Sequence, residues 1–217
     1  MSSPFAFLEE PVQLVFLLLL LPCLLDALRR SGIDTASREQ LAIWVGLTLF
    51  IFAAQLLSHD LPDGVTLRYS GAAFLALTLG YARALLSMSL LLLITQSLNG
   101  MAQTMIVDAL LPVWLMVQVV RLSRRFLPAN PFVFLLGCGF FGLFLVYAVQ
   151  ACAGAALSAL AAGTPVPAAV FSERTVWSLL LAGGEATLEG MIITILVVYF
   201  PRAVALFDDQ HYLSRPM

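Results

Sequence analysis

Two carboxylates stand four residues apart inside an apolar run, Glu185 and Glu189 in Gly183-Gly184-Glu185-Ala186-Thr187-Leu188-Glu189-Gly190. On a helix that spacing puts both on one face. Two anions on one dry face repel, so the face requires a cation, an arginine, a shared proton or water beside it. Arg68 is the candidate partner, and the three residues form an expected intramembrane polar cluster. An internal arginine–glutamate clasp fixing helix register and a polar cavity lined by the two glutamates are the alternatives. Asp108 is a further acid in an apolar run, and His59, Asp60 and Asp63 crowd one short polar segment. Imidazole and carboxylate oxygen are ligand types that suit divalent transition metals, so His59, Asp60, Asp63 and Asp108 form the candidate metal set. The bland alternative is a solvated loop.

The residues that would position these groups are overwhelmingly apolar. Of 217 residues, 61% are hydrophobic and 11% charged, with a mean hydropathy of +0.96, whereas soluble domains carry roughly 45–50% apolar and about 25% charged residues. Lipid is the expected solvent. The eleven basic residues are all arginine, set against thirteen acids, and no basic surface suggests a nucleic-acid partner. Cys23, Cys138 and Cys152 lie scattered in apolar runs and read as small hydrophobes rather than as a disulfide or metal site.

A membrane-crossing helix needs about 20 apolar residues. Segments 11–28, 41–57, 104–122, 131–161 and 175–199 qualify, and 67–98, too long for one crossing, divides into two short helices meeting near Gly80. The expected fold class is therefore all-α, a polytopic bundle of about seven transmembrane helices forming one domain over 1–217. Arginines near span ends collect on the cytoplasmic side. Arg29, Arg30, Arg38, Arg83, Arg121, Arg124, Arg125, Arg202 and Arg215 all do so if the N terminus is outside and the C terminus cytoplasmic, leaving Arg68 and Arg174 on the outer side.

Gly137-Cys138-Gly139-Phe140-Phe141-Gly142 fits G-x-G-x-x-G, but no strand precedes it, so Gly139 and Gly142 read as helix packing positions rather than a dinucleotide site. Ala151, Ala155 and Ala159 continue that span as a small-residue stripe at i, i+4 spacing, suited to close helix approach. No catalytic motif is present, and no nucleophile, base and orienting group can be assembled. The chain is expected not to be an enzyme and to carry no cofactor.

Three stretches together resemble the energy-coupling-factor ABC transporter permease family, the CbiM-like membrane subunits of cobalt and nickel uptake: Gly71-Ala72-Ala73-Phe74 through Gly80 to Leu86; Arg125-Phe126-Leu127-Pro128-Ala129-Asn130-Pro131-Phe132 with Gly139-Phe140-Phe141-Gly142; and Glu185-Ala186-Thr187-Leu188-Glu189-Gly190-Met191 with the tail Phe207-Asp208-Asp209-Gln210-His211-Tyr212. The resemblance implies a seven-helix substrate-capture subunit in a bacterial inner membrane. It also implies a bound transition-metal ion and, as partners, a coupling membrane subunit and ATPases. The family's metal type carries an N-terminal Met-His pair and a histidine three residues before the glycine matching Gly71. Here the chain begins Met1-Ser2-Ser3, and Arg68 stands at the histidine position. A guanidinium stays protonated and repels a divalent cation where a neutral imidazole binds it. The expectation therefore divides three ways: another ligand set, a non-metal substrate met by Arg68, or a transport-inactive scaffold or assembly subunit of a larger membrane complex.

Overall fold

The structure is a computed structural model that describes residues 11–57, 59–60, 66–95, 101–208 and 212. Their chain order is α1 (Pro11–Arg30), α2 (Arg38–Leu56), a two-residue ladder, α3 (Ala72–Thr95), α4 (Met101–Phe126), α5 (Val133–Ala162), a short α6 (Val166–Val170) and α7 (Glu173–Tyr199). In the ladder β1 (His59–Asp60) pairs antiparallel with β2 (Thr66–Leu67), His59 opposite Leu67 and Asp60 opposite Thr66. The fold is thus helical, as composition requires. Helices α2, α3, α4, α5 and α7 are each long and apolar enough to cross a membrane, and α1 is a 20-residue, leucine-rich helix. Large apolar side chains such as Leu18, Leu49, Phe141, Leu145, Ile195 and Val198 are exposed. A surface of that kind belongs in hydrocarbon, and this is an integral membrane protein.

The segment that sequence length divides at Gly80 does divide there. Gly80 has φ 78° and ψ 173°, a region open essentially to glycine alone, so α3 is two helical pieces joined at a break. Every residue from Ala72 to Leu79 is buried. The first piece is therefore a short helix enclosed by the others, and its loose backbone ends must be satisfied by protein, because lipid offers no hydrogen bonds. Its C-terminal end is closed by the chain that follows α7. The Ala205 N–H donates to the Thr78 carbonyl at 2.9 Å and the Leu206 N–H to the Leu77 carbonyl at 3.1 Å. Arg124 Nη2 in turn donates to the Leu206 carbonyl at 2.5 Å. Stacked Phe207 and Tyr212 rings, 5.4 Å apart, lie against Phe134 on α5. Burial above all, with the neighbouring Cys138 adding to it, raises the Tyr212 phenol above its ordinary pKa and keeps it a neutral member of this cluster.

Gly80→Ala is expected to lower stability by about 1–3 kcal/mol, the usual cost of forcing a side-chain-bearing residue into such a conformation. Room is not the obstacle, since an added Cβ would meet only the Ala205 Cβ, at 3.8 Å. Gly46→Ala in α2, where an added Cβ meets nothing within 4 Å, supplies the contrast and should be neutral or slightly stabilising. Melting curves of the two variants in one detergent check this, and equal midpoints would refute the strain argument.

Helices α5 and α7 cross where side chains are smallest. An added Cβ on Gly190 would sit 2.6 Å from the Gly139 carbonyl oxygen and 2.8 Å from the Phe140 ring. An added Cβ on Gly139 would meet Ile193 on α7 at 3.5 Å, and one on Gly142 would meet Val119 at 3.0 Å and Met116 at 3.3 Å on α4. Both glycines thus lie in close packing contacts, each with a different helix.

Candidate functional site

The N-terminal end of the buried half-helix is built as a polar junction. Gly71, with φ 69°, turns the chain into it, and an added Cβ there would stand 2.6 Å from the Ile51 side chain. Peptide dipoles leave the start of a helix partially positive. Both α7 glutamates lie near that end. The Ser70 N–H donates to the two carboxylate oxygens of Glu185, each at 3.2 Å. The Phe74 N–H donates to the Tyr147 hydroxyl oxygen at 3.4 Å, and Tyr147 passes its own proton bond to Glu189 Oε2 at 2.6 Å. Glu189 is fully buried and Glu185 is 4% exposed. The i, i+4 face read from the sequence is therefore met chiefly by one backbone N–H, that of Ser70, and a tyrosine. The Tyr69 hydroxyl faces Glu189 as well, without completing a well-formed hydrogen bond.

Arg68 makes its ion pair elsewhere. Its Nη2 lies 3.5 Å from Asp108 Oδ2 on α4, and neither glutamate forms a salt bridge with it. Asp108 sits within a π turn, Ile106–Leu110. Such turns insert an extra residue and re-aim side chains, and they recur at functional sites. Gln150 Nε2 on α5 donates to Asp108 Oδ1 at 2.9 Å, and the Ser70 hydroxyl donates to Gln150 Oε1 at 3.2 Å. One network thus runs from Arg68 through Asp108, Gln150 and Ser70 to Glu185. Ser70 is held from its other side by Gln55 Nε2, 3.2 Å from its carbonyl oxygen.

This network lines a cavity of about 750 Å³ enclosed by α4, α5, α6 and α7 and the approach to α3. Arg68, Asp108, Gln150 and Glu185 lie in its wall with Gln103, Thr164, Thr175 and Ser178. It reaches the surface beside Arg174 and Ser158, both exposed. Ala151, Ala155 and Ala159 also line it. Their small side chains leave the space that larger residues would fill.

Of the candidate metal set, Asp108 alone has a described side chain, and its carboxylate is engaged by Arg68 and Gln150. His59 and Asp60 are described in backbone only, while Asp63 and the tail His211 fall outside the described residues. Among the described residues no three His, Cys, Asp or Glu side chains gather into a metal-holding group. The residues that sequence reasoning passed over are Tyr69, Ser70, Tyr147 and Gln150. Tyr147 and Gln150, polar and three apart in an otherwise apolar span, carried a usable signal: they had to face protein or water rather than lipid.

Two solved structures share this fold. A crystal structure of a truncated transition metal transporter superposes with a TM-score of 0.70 at 20% identity, over 85% of this chain and 92% of that one. A crystal structure of a transition metal transporter gives 0.68 at 21% identity, over 84% and 86%. No curated protein matches the chain. The family model described as the cobalt uptake substrate-specific transmembrane region matches residues 4–203. With the sequence match covering nearly the whole chain and the helical arrangement agreeing with it, this protein belongs to the CbiM family.

Proposed function

We propose that this chain is the substrate-capture membrane component of a metal uptake system of the energy-coupling-factor type, one membrane domain that is not itself an enzyme. The observation that carries the reading is the cavity of about 750 Å³ beside the start of the buried half-helix. Polar and ionisable groups inside a membrane bundle are costly and are kept where they line a substrate or ion path. A broken helix whose N-terminal end meets such a path is a recurrent way of building a binding site in transporters. The arginine-rich span ends lie away from the cavity, which supports a cavity that opens on the outer face of a bacterial inner membrane and a cytoplasmic face that meets the coupling subunit and ATPases.

A second reading, a scaffold or assembly subunit that no longer transports, is favoured by Arg68. That residue places a permanent cation where the family resemblance implies a histidine, and it is already paired with Asp108. Gentle purification of the chain with its bound partners distinguishes the two. Elemental and protein mass spectrometry of the same sample should find a second membrane subunit, an ATPase and stoichiometric transition metal, and deletion should reduce cobalt or nickel uptake. Co-purification with some other stable complex, without metal and without an uptake defect, would establish the scaffold.

A further inference from the structure

The substrate cavity and its charges do not match a bare ion. A divalent cation with six waters occupies on the order of 200 Å³, taking about 30 Å³ for each water. The cavity holds about 750 Å³, within the roughly 300–1,000 Å³ range of sites for small organic molecules. Its charges are also mixed. Arg68, Asp108 and Glu185 all lie in its wall.

Among the described residues, Arg68 is only partly used. Its guanidinium offers five N–H donors in a planar fork, yet the one ion pair or hydrogen bond it makes among the described residues is the 3.5 Å pair with Asp108. Its side chain remains 22% exposed, toward the cavity it lines. A guanidinium with donors to spare in a polar cavity suits a planar carboxylate, which it grips through two parallel bonds. Asp108 and Glu185, acids in the same wall, favour a positive centre beside the carboxylate and disfavour a multiply charged free anion.

We propose that the cavity takes a divalent metal in complex with a small carboxylate-bearing organic molecule, the carboxylate held by Arg68 and the metal-bearing end beside the acid groups of the same wall. The proposal rests on the capture reading above and names its substrate class. It makes Arg68 a specificity determinant, the group that binds the metal's organic carrier.

The test uses the full chain with its partners, in nanodiscs, with binding measured by titration calorimetry. The probes are Co²⁺ alone, the free acids acetate, malonate and citrate, and the cobalt complexes of malonate and citrate. Wild type is expected to bind at least one complex ten-fold or more tighter than either of its components. Arg68→Met should weaken that binding at least ten-fold, and Arg68→Lys, which keeps the charge without the fork, should weaken it less. Melting curves of both variants establish that they are folded; if Arg68→Met is not, the comparison of Arg68→Lys with wild type carries the test. Co²⁺ alone bound as tightly as the complexes would overturn the proposal while leaving the capture reading intact. Free acids bound as tightly as their complexes, or affinities unmoved by the Arg68 variants, would overturn it as well. No binding of any probe, in a preparation that also lacks an ATPase partner, would remove both.

Discussion

Gly190→Val is expected to prevent the chain from folding into a stable bundle, with little monodisperse protein recovered from the membrane. The first added carbon would stand 2.6 Å from the Gly139 carbonyl oxygen, a backbone atom, and 2.8 Å from two carbons of the Phe140 ring. A flexible side-chain end could yield, but a helix backbone cannot without separating α5 from α7. That separation would also disturb the Tyr147–Glu189 bond, because those residues lie on the same two helices. Overpacking a tight core typically costs about 1–3 kcal/mol and occasionally more; contact against backbone on one side and a ring on the other puts this site at the upper end or beyond. Gly184→Val is the matched control, since an added Cβ there meets nothing within 4 Å. Size-exclusion profiles and melting midpoints of the two variants give the answer. If Gly190→Val eluted and melted like wild type, the crossing at Gly139 and Gly190 would be wrong.

The next largest effect is expected at the buried pair itself. Tyr147→Phe removes the 2.6 Å donor to Glu189 Oε2 and the acceptor for the Phe74 N–H at the same time. Glu189 is fully buried, so no water replaces the lost proton bond. Leaving a buried acidic group short of its partner costs about 3–5 kcal/mol when the group is charged and about 1–3 kcal/mol when a neutral hydrogen bond is lost. Glu189→Leu is also destabilising, because it orphans the tyrosine hydroxyl. The double variant should lose less than the sum of the two, since two apolar groups of matching size leave nothing unsatisfied on this pair. Strict additivity of the three melting shifts would show that the pair is not coupled. Glu189→Gln, which retains an acceptor oxygen, should fall well short of the leucine variant's loss.

Several levels of this protein could be read without coordinates. Lipid as solvent followed from apolar composition, because a surface must match its medium whatever the fold. The break in α3 followed from length and from Gly80, since 32 residues exceed one crossing and glycine alone enters the required backbone region without strain. The common face of Glu185 and Glu189 followed from helical periodicity, a local property. So did the family, through residues clustered around Gly71, Gly139 and Glu185.

What the tertiary structure alone decided is which groups meet. Arg68 and Glu185 both lie in the network, yet the arginine's ion pair goes to Asp108, forty residues away in the chain and displaced by a π turn that no local pattern announced. The glutamates are answered by Ser70 and Tyr147, and the alanine stripe of α5 became the wall of a cavity. The carbonyls freed at the α3 break are closed by the tail beyond α7. In each case the sequence determines what a helix carries on each face. The rotation of that face toward a neighbour is settled by side-chain packing summed over the whole bundle. Charge partners in a membrane protein are a property of that sum, and the spacing of residues along one helix does not contain it.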